Sequence, residues 1–218
     1  MSVTTLAWTD RLAFLDRRTV VTAALVVVAA AAIAGGIWFW LSAEERRASA
    51  AYASAMVRLG TARARNAPPE ARATAARELE TALSSYPSAT MAAQAAFELG
   101  SLRFADRQYA QARSVWEVAV ARAGSPTLRA LARAGIGGTW EAERNFANAI
   151  QAYQAALGDL KPKAFLYEDT LIDLGRAQEL AGKKDDAVAT YRRLLKDVPQ
   201  TRRGEDVRAR LASLGATP

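Results

Sequence analysis

The chain has 218 residues, a net charge of +7, 51% apolar residues, and neither cysteine nor histidine. Its apolar fraction is sufficient for a folded core, and its length suits one domain with an appendage or one elongated repeat array. The absence of cysteine and histidine excludes disulfides, zinc fingers, thiolate nucleophiles, imidazole bases and a lipid-modified cysteine as a membrane anchor.

Residues 1–19 form a short tail ahead of a long apolar run. Trp8, Leu12 and Leu15 fall on one face of a helix, while Asp10 and Arg11 fall elsewhere. This pattern is typical of a short amphipathic helix that lies on the inner surface of a membrane. A tail without fixed structure fits equally well, so the two alternatives stay open.

Residues 20–41 carry no charged side chain and predict a single transmembrane helix. About 20 apolar residues cross a bilayer core as a helix, whereas the apolar part of a signal peptide has only ~7–15 residues. The run ends in Trp38, Phe39 and Trp40, as at the aromatic belt of a membrane surface. We therefore expect an anchor that is retained rather than a signal peptide that is cleaved.

The charges on either side of this run indicate its orientation. Arg17 and Arg18 adjoin the run at its start, whereas Glu44 and Glu45 are the first charges after its end. The pattern predicts a single-pass membrane protein with a cytoplasmic N-terminus and a C-terminal domain on the outer side. In a bacterium this is the inner (cytoplasmic) membrane, and the C-terminal domain is periplasmic.

Two further sets of residues in this region are candidate contact sites. The membrane-interface candidates are Arg17, Arg18, Trp38 and Trp40. The candidates for close packing against another transmembrane helix are the small residues Ala32, Gly35 and Gly36.

Three segments beyond residue 88 align with one another at spacings of 37 and 38 residues. Each has an aliphatic residue followed by glycine, then a small residue, a ring four positions later, and a small or aliphatic residue three beyond that. The residues are Leu99, Gly100, Ala112, Trp116 and Ala119; Ile136, Gly137, Ala149, Tyr153 and Ala156; and Leu174, Gly175, Ala187, Tyr191 and Leu194.

This spacing predicts pairs of antiparallel helices rather than an ordinary helical bundle. Glycine or alanine on each helix allows a close approach, and the ring fills the gap toward the next pair. Prolines at 87, 126, 162 and 199 fall between the pairs, where they stop one helix or start the next. We assign 42–87 to a degenerate first repeat, 88–199 to three repeats, and 200–218 to a cap helix and tail.

The pattern resembles the tetratricopeptide repeat, in which an aromatic residue, Leu-Gly, Ala, an aromatic residue, Ala and Pro recur over about 34 residues. Residues 42–199 carry the resemblance. It implies an all-α fold: a single transmembrane helix followed by an α-solenoid of three to four helix-turn-helix repeats. The longer period here implies a longer turn between pairs. Such repeats identify an architecture rather than an activity.

The first helix of each pair usually lines the concave face of such a solenoid, where partners bind. The candidate partner-binding residues on this face are Gln94, Phe97, Ser101, Phe104, Glu141, Asp169, Arg176 and Glu179. Exposed rings at Phe97 and Phe104 would suit a peptide partner; the alternative is that both rings pack inside. The face holds no lysine–asparagine clamp for a C-terminal carboxylate.

The sequence shows no catalytic arrangement and predicts neither an enzyme nor a cofactor. Its acidic pairs, such as Glu168-Asp169, are adjacent on helices and so cannot converge on one substrate atom. No phosphate-binding loop, nucleophile elbow or metal-ligand spacing occurs. The basic residues are spread along the chain, and a periplasmic domain would not meet nucleic acid.

An N-terminal anchor followed by helical repeats resembles the bacterial envelope repeat proteins typified by the ancillary subunit of the SecYEG translocon. The resemblance implies a non-catalytic interaction subunit whose partners are the lipid bilayer and protein subunits of a membrane complex. That complex would be of the translocase, respiratory or photosynthetic type. The alternative is a periplasmic chaperone-like factor that binds exported polypeptides transiently.

Overall fold

The computed structural model describes residues 17–62 and 68–217, and all the regular secondary structure of this part is helical. Its helices are α1 (Arg17–Ala62), α2 (Pro69–Ser85), α3 (Ala92–Ala105), α4 (Tyr109–Arg122), α5 (Pro126–Ala142), α6 (Phe146–Gly158), α7 (Tyr167–Leu180), α8 (Lys184–Asp197) and α9 (Gly204–Ser213). The predicted all-α class is confirmed.

Helix α1 extends beyond the predicted span at both ends, from Arg17 to Ala62. The boundary between two compact units falls inside it, after Arg47, and we describe each unit separately. The candidate interfacial helix of the tail lies outside the described residues.

In the first unit, residues 17–47, the apolar part of α1 is long and apolar enough to cross a membrane. None of its most apolar window is buried within the protein. Length and composition alone support this statement, and a signal sequence would pass the same test.

The second unit, residues 48–217, is built from successive helix pairs. Residues 48–62 pack with α2, and Tyr52, Leu59, Leu79 and Leu99 belong to one buried cluster. The pairs α3/α4, α5/α6 and α7/α8 follow, each helix packing on the next, and α9 contacts α8. This is the predicted repeat solenoid with its cap.

The extra residues of the long repeat period have two locations. Between α6 and α7 they form the predicted long connection, residues 159–166. Between α4 and α5 the connection is only 123–125, and α5 is longer instead, with 17 residues against 14 in α3 and α7. Pro126 explains this difference, because Ser125 caps the helix by accepting the Leu128 N–H and proline suits the first helical position.

Candidate partner-binding face

The repeated glycine and the repeated ring are in direct contact within each helix pair. A Cβ added at Gly100 would lie 2.6 Å from the Trp116 ring, and one added at Gly137 would lie 2.6 Å from the Tyr153 ring. Gly175 faces Tyr191 in the same way. The predicted close approach therefore occurs at these positions, and it fixes where each ring presents its polar edge.

Two of these rings carry a hydroxyl that binds a glutamate of the partner helix. Tyr153 donates to Glu141 Oε2 at 3.0 Å, and Tyr191 donates to Glu179. Each glutamate lies four residues after its repeat glycine. The first helices α3, α5 and α7 together form a surface that we call the first-helix face.

Each of these glutamates also binds an arginine from the next pair or cap. Arg176 of α7 donates two hydrogen bonds to Glu141, from Nε to Oε1 at 2.7 Å and from Nη2 to Oε2 at 3.0 Å. Arg210 of α9 lies 3.1 Å from Glu179 Oε1. We call this chain of Tyr–Glu–Arg contacts the ionic ladder, which links successive pairs across their first helices.

The electrostatics of the ladder favour a neutral tyrosine hydroxyl and a charged arginine. Burial, with the charges of Asp173 and Glu141, raises the pKa of Tyr153, so its hydroxyl keeps the proton that it donates. The hydrogen bond to Glu141 raises the pKa of Arg176, which stays charged. Burial also raises the pKa of Asp173, and the adjacent Arg176, at 2.8 Å, opposes that shift.

The α3/α4 repeat and its contact with α5 depart from this pattern at all three ladder positions. Phe104 stands where the other repeats have glutamate, and Trp116 replaces tyrosine. In α7, Arg176 comes directly after the repeat glycine Gly175. The corresponding position in α5, directly after Gly137, is Gly138, so the arginine is missing there. A Cβ added at Gly138 would lie 3.8 Å from the Phe104 ring. The contact from α3 to α5 on the first-helix face is therefore apolar where the later ones are ionic.

Phe104 is the exposed part of an aromatic cluster. Its ring centroid lies 5.8 Å from that of Trp116 and 5.6 Å from that of Tyr109. Phe97 is half-buried, 6.4 Å from Trp116 between ring centroids. Phe104 keeps 37% of its surface exposed. Of the two predicted aromatic contacts, only Phe104 presents a substantial apolar surface.

The remaining predicted residues on this face have partners within the protein. Gln94 donates to Glu98, Ser101 donates to the Phe97 carbonyl, and Asp169 lies 2.9 Å from Arg203. Glu141, Arg176 and Glu179 belong to the ladder. The structure brings Glu141 and Arg176 together directly, and places Phe104 at the corresponding position one repeat earlier.

The candidate membrane residues all lie on α1. Trp38 and Trp40 are 71% and 62% exposed, and Arg18 is exposed as well. Ala32 is exposed, and a Cβ added at Gly35 or Gly36 would have no neighbour within 4 Å. The small residues are thus accessible to another helix.

Sequence reasoning missed Asp173, Arg210 and the tyrosine hydroxyls. The recurrence of glutamate four residues after glycine in two of the three repeats was a signal for the acidic half of the ladder.

A second missed contact joins α4 to α5: Arg113 stacks on Trp140 at 3.7 Å from the ring centroid and pairs with Glu143 at 2.7 Å. In the ionic ladder and in the Arg113 contact alike, the charged side chains hold neighbouring helix pairs together.

Replacing Arg176 by glutamine should lower the free energy of unfolding at pH 7 by about 1–2 kcal/mol, because Glu141 and Asp173 lose their shared cation. Folding already raises the pKa of Asp173 above its ordinary value of 3.8, so the free energy of unfolding falls as the pH rises from that value through the folded-state pKa. The variant lacks the cation that opposes this shift. The pKa of Asp173 in its folded state should therefore be higher, and the fall in stability should be larger and extend to higher pH. Guanidinium titrations at several pH values in mild detergent would measure this.

Arg202→Gln is the matched control, because Arg202 is exposed and has no carboxylate partner among the described residues. It should leave stability unchanged throughout. A loss in Arg176→Gln of the same size at every pH would contradict the ionic ladder.

No group of three or more potential metal-ligating carboxylates occurs within residues 17–62 and 68–217. Glu141 and Glu143, only two residues apart, bind different arginines on different helices. These two glutamates therefore act in packing contacts between helix pairs.

Comparison with known proteins gives the repeat type. A family model described as tetratricopeptide repeat matches residues 169–201, which contain most of α7 and all of α8. No curated protein matches the chain. Among solved structures it is similar to one titled "Crystal structure of MamA protein", with a TM-score of 0.51 and 22% identity over 59% of this chain and 65% of that chain. At this identity the likeness shows the fold alone.

Proposed function

We propose that this tetratricopeptide-repeat chain is a non-catalytic interaction subunit, held in the bacterial inner membrane by residues 20–41. Its repeats, on the periplasmic side, would dock on a larger membrane complex of the translocase, respiratory or photosynthetic type and stabilise or bridge it. Repeats of this type bind protein partners, and they generally lack catalytic activity. The candidate span, with its accessible small residues, supports a location in the membrane.

The single observation that carries the proposal is the break in the ionic ladder at Phe104. Glu141 and Glu179 are each paired with an arginine of the next helix pair or cap. Phe104, at the corresponding position, faces Gly138 instead, and part of its ring stays exposed. Exposed aromatic residues beside a small residue provide a pocket for an apolar anchor of a partner. We therefore infer that the partner contacts the first-helix face at Phe104, and that the ladder keeps the later repeats rigid behind it.

The double variant Phe104→Glu/Gly138→Arg tests this inference, because it introduces between α3 and α5 the Glu–Arg pair that joins α5 to α7. A Cβ added at position 138 meets only ordinary contacts, at 3.8 Å or more, and the Phe104 ring that it meets is replaced in the same variant. We expect the fold to be kept and partner retention to fall at least tenfold, about 1.4 kcal/mol or more. Co-purification of the full chain from membranes in mild detergent, with quantitative mass spectrometry, would measure retention.

Phe104→Leu is the matched control, since it keeps an apolar side chain and should retain most of the partner. Full retention by the double variant would place docking elsewhere, for example on α1. A wild-type chain that purifies with no stoichiometric partner would reject the subunit proposal. Broad, weak binding of unfolded peptides by that chain would instead support the chaperone-like alternative.

A further inference from the structure

The connections between helix pairs lie at one edge of residues 48–217, because consecutive helices joined by short loops run antiparallel. The chain enters this unit at the same edge. Tyr52, near the entry point, donates its hydroxyl to the carbonyl of Tyr86 in the α2–α3 loop, at 2.9 Å. We call this the entry edge; its other loops are 123–125, 159–166 and 198–203.

Two loops of the entry edge are joined into one surface. Thr201 donates its hydroxyl to the Glu168 carboxylate, and Arg203 Nη2 lies 2.9 Å from Asp169 Oδ1. A shallow cleft of about 400 Å³ lies between them, and Phe165 and Arg202 contribute to its lining. The α6–α7 and α8–α9 loops thus present their side chains together.

Phe165 projects from this surface. It is 75% exposed, more than any other large apolar side chain among the described residues of the second unit. Leu166 and Lys163, on either side of the Ala164-Phe165 pair, have left-handed backbone conformations with φ of 72° and 67°. Residues other than glycine adopt these conformations infrequently. The turn is therefore specifically shaped, and its shape leaves the ring in solvent.

Three unpaired cations belong to the same two loops as the ring. Lys161, Lys163 and Arg202 are exposed and have no ion pair among the described residues. The nearby acids are already engaged: Glu168 accepts from Thr201, and Asp169 pairs with Arg203. The loop surface thus combines one exposed aromatic ring with a net positive charge.

We propose that the entry edge docks on the surface of an anionic bilayer, with Phe165 at headgroup depth and Lys161, Lys163 and Arg202 against anionic headgroups. An aromatic ring among cations is the arrangement that binds at such interfaces. The three unpaired cations beside the ring match the charge of anionic headgroups, which favours a lipid surface as the occupant. The inference rests on the membrane attachment proposed above.

Because the chain has no cysteine, a single cysteine at position 165 can carry an environment-sensitive fluorophore. The full-length Phe165→Cys variant would be reconstituted in vesicles of phosphatidylcholine alone and of phosphatidylcholine with phosphatidylglycerol. In the anionic vesicles we expect a blue-shifted emission, and quenching by brominated lipid at least about twofold stronger than in neutral ones. Raising the salt concentration should reduce this difference.

Ala142→Cys is the matched control, because Ala142 is exposed at the end of α5, at the opposite edge. Its label should stay solvent-like in both vesicles. Changing Lys161, Lys163 and Arg202 together to glutamate should abolish the response at position 165. Equal emission at the two positions, or an equal response in neutral vesicles, would overturn the proposal.

Vesicle flotation separates this inference from the attachment on which it rests. One outcome is a chain that floats with neutral vesicles while its label at position 165 stays solvent-like in anionic ones. This result would keep the membrane anchor and overturn only the entry-edge proposal. A chain that floats with neither kind of vesicle overturns both.

Discussion

Replacing Trp116 by alanine is expected to lower the free energy of unfolding of the repeat domain by about 3–5 kcal/mol, the usual cost of emptying a large buried aromatic site. The side chain is 4% exposed, and it joins three helices. Its ring faces Gly100 of α3 and Gly135 of α5, and its indole N–H donates to the Phe97 carbonyl at 3.0 Å. Guanidinium titration of the full chain in mild detergent would measure the loss.

Trp116→Phe provides a milder comparison. It keeps most of the ring but removes the indole N–H, one of the donors to the Phe97 carbonyl, and leaves a smaller ring in the site, so we expect a loss of about 1–2 kcal/mol. Hydrogen exchange should increase mainly in α3, α4 and α5, because repeats contact only their neighbours. An alanine variant with an unchanged midpoint would mean that the aromatic cluster contributes little to stability.

The glycine and ring positions could be predicted from the sequence because the steric requirement behind them is strict. A side chain at Gly100, Gly137 or Gly175 would overlap the ring of the second helix. The distance along the chain from that glycine to the ring is therefore the same, 16 residues, in these three pairs. A constraint of this kind produces a regular spacing, and regular spacing can be read without a structure.

The ionic ladder could not be predicted in the same way. Its glutamates have a regular position, but its cations do not: Arg176 directly follows a repeat glycine, whereas Arg210 lies in α9, which lacks the repeat pattern. Long arginine side chains reach a carboxylate from several backbone positions, so this contact imposes little regularity on the sequence. The prediction therefore treated Glu141, Arg176 and Glu179 as independent partner contacts, although they bind within the protein.

Phe165 shows a second kind of limit. Helix periodicity identifies residues on packed faces, but a loop residue belongs to no periodic pattern. Its exposure depends on the left-handed backbone at Lys163 and Leu166, and neither residue type indicates that conformation. The loop was predicted as a longer connection, whereas its surface could be described only from the structure.

The α3/α4 repeat differs from the α5/α6 and α7/α8 repeats in the kind of contact that it makes with the next helix pair. The later contacts combine apolar packing with charged hydrogen bonds, whereas the contact from α3 to α5 on the first-helix face is apolar. The break in the ladder is confined to this face, because Trp116 and the Arg113–Glu143 ion pair, at 2.7 Å, join the same helix pairs elsewhere. A partner seated on Phe104 would add stability to the folded array by binding it and not the unfolded chain.

Replacing Gly137 by leucine is expected to lower the free energy of unfolding by about 3 kcal/mol, the upper part of the range for overfilled cores. The first added carbon would already lie 2.6 Å from the Tyr153 ring. That ring cannot turn aside without breaking the hydrogen bond between its hydroxyl and Glu141. Helices α5 and α6 must then separate, which also displaces Glu141 from Arg176. Guanidinium titration and hydrogen exchange of α5 to α7 would measure the effect.

Gly60→Leu is the matched control, since it makes the same change in a helix where an added Cβ has no neighbour within 4 Å. Leucine favours the helix more than glycine does, so this variant should be as stable as the wild type or more stable by up to about 1 kcal/mol. Opposite signs for the two variants would show that close packing, and not helix propensity, requires glycine at position 137. Equal effects would contradict the close approach of α5 and α6, on which the contact between Tyr153 and Glu141 in the ladder depends.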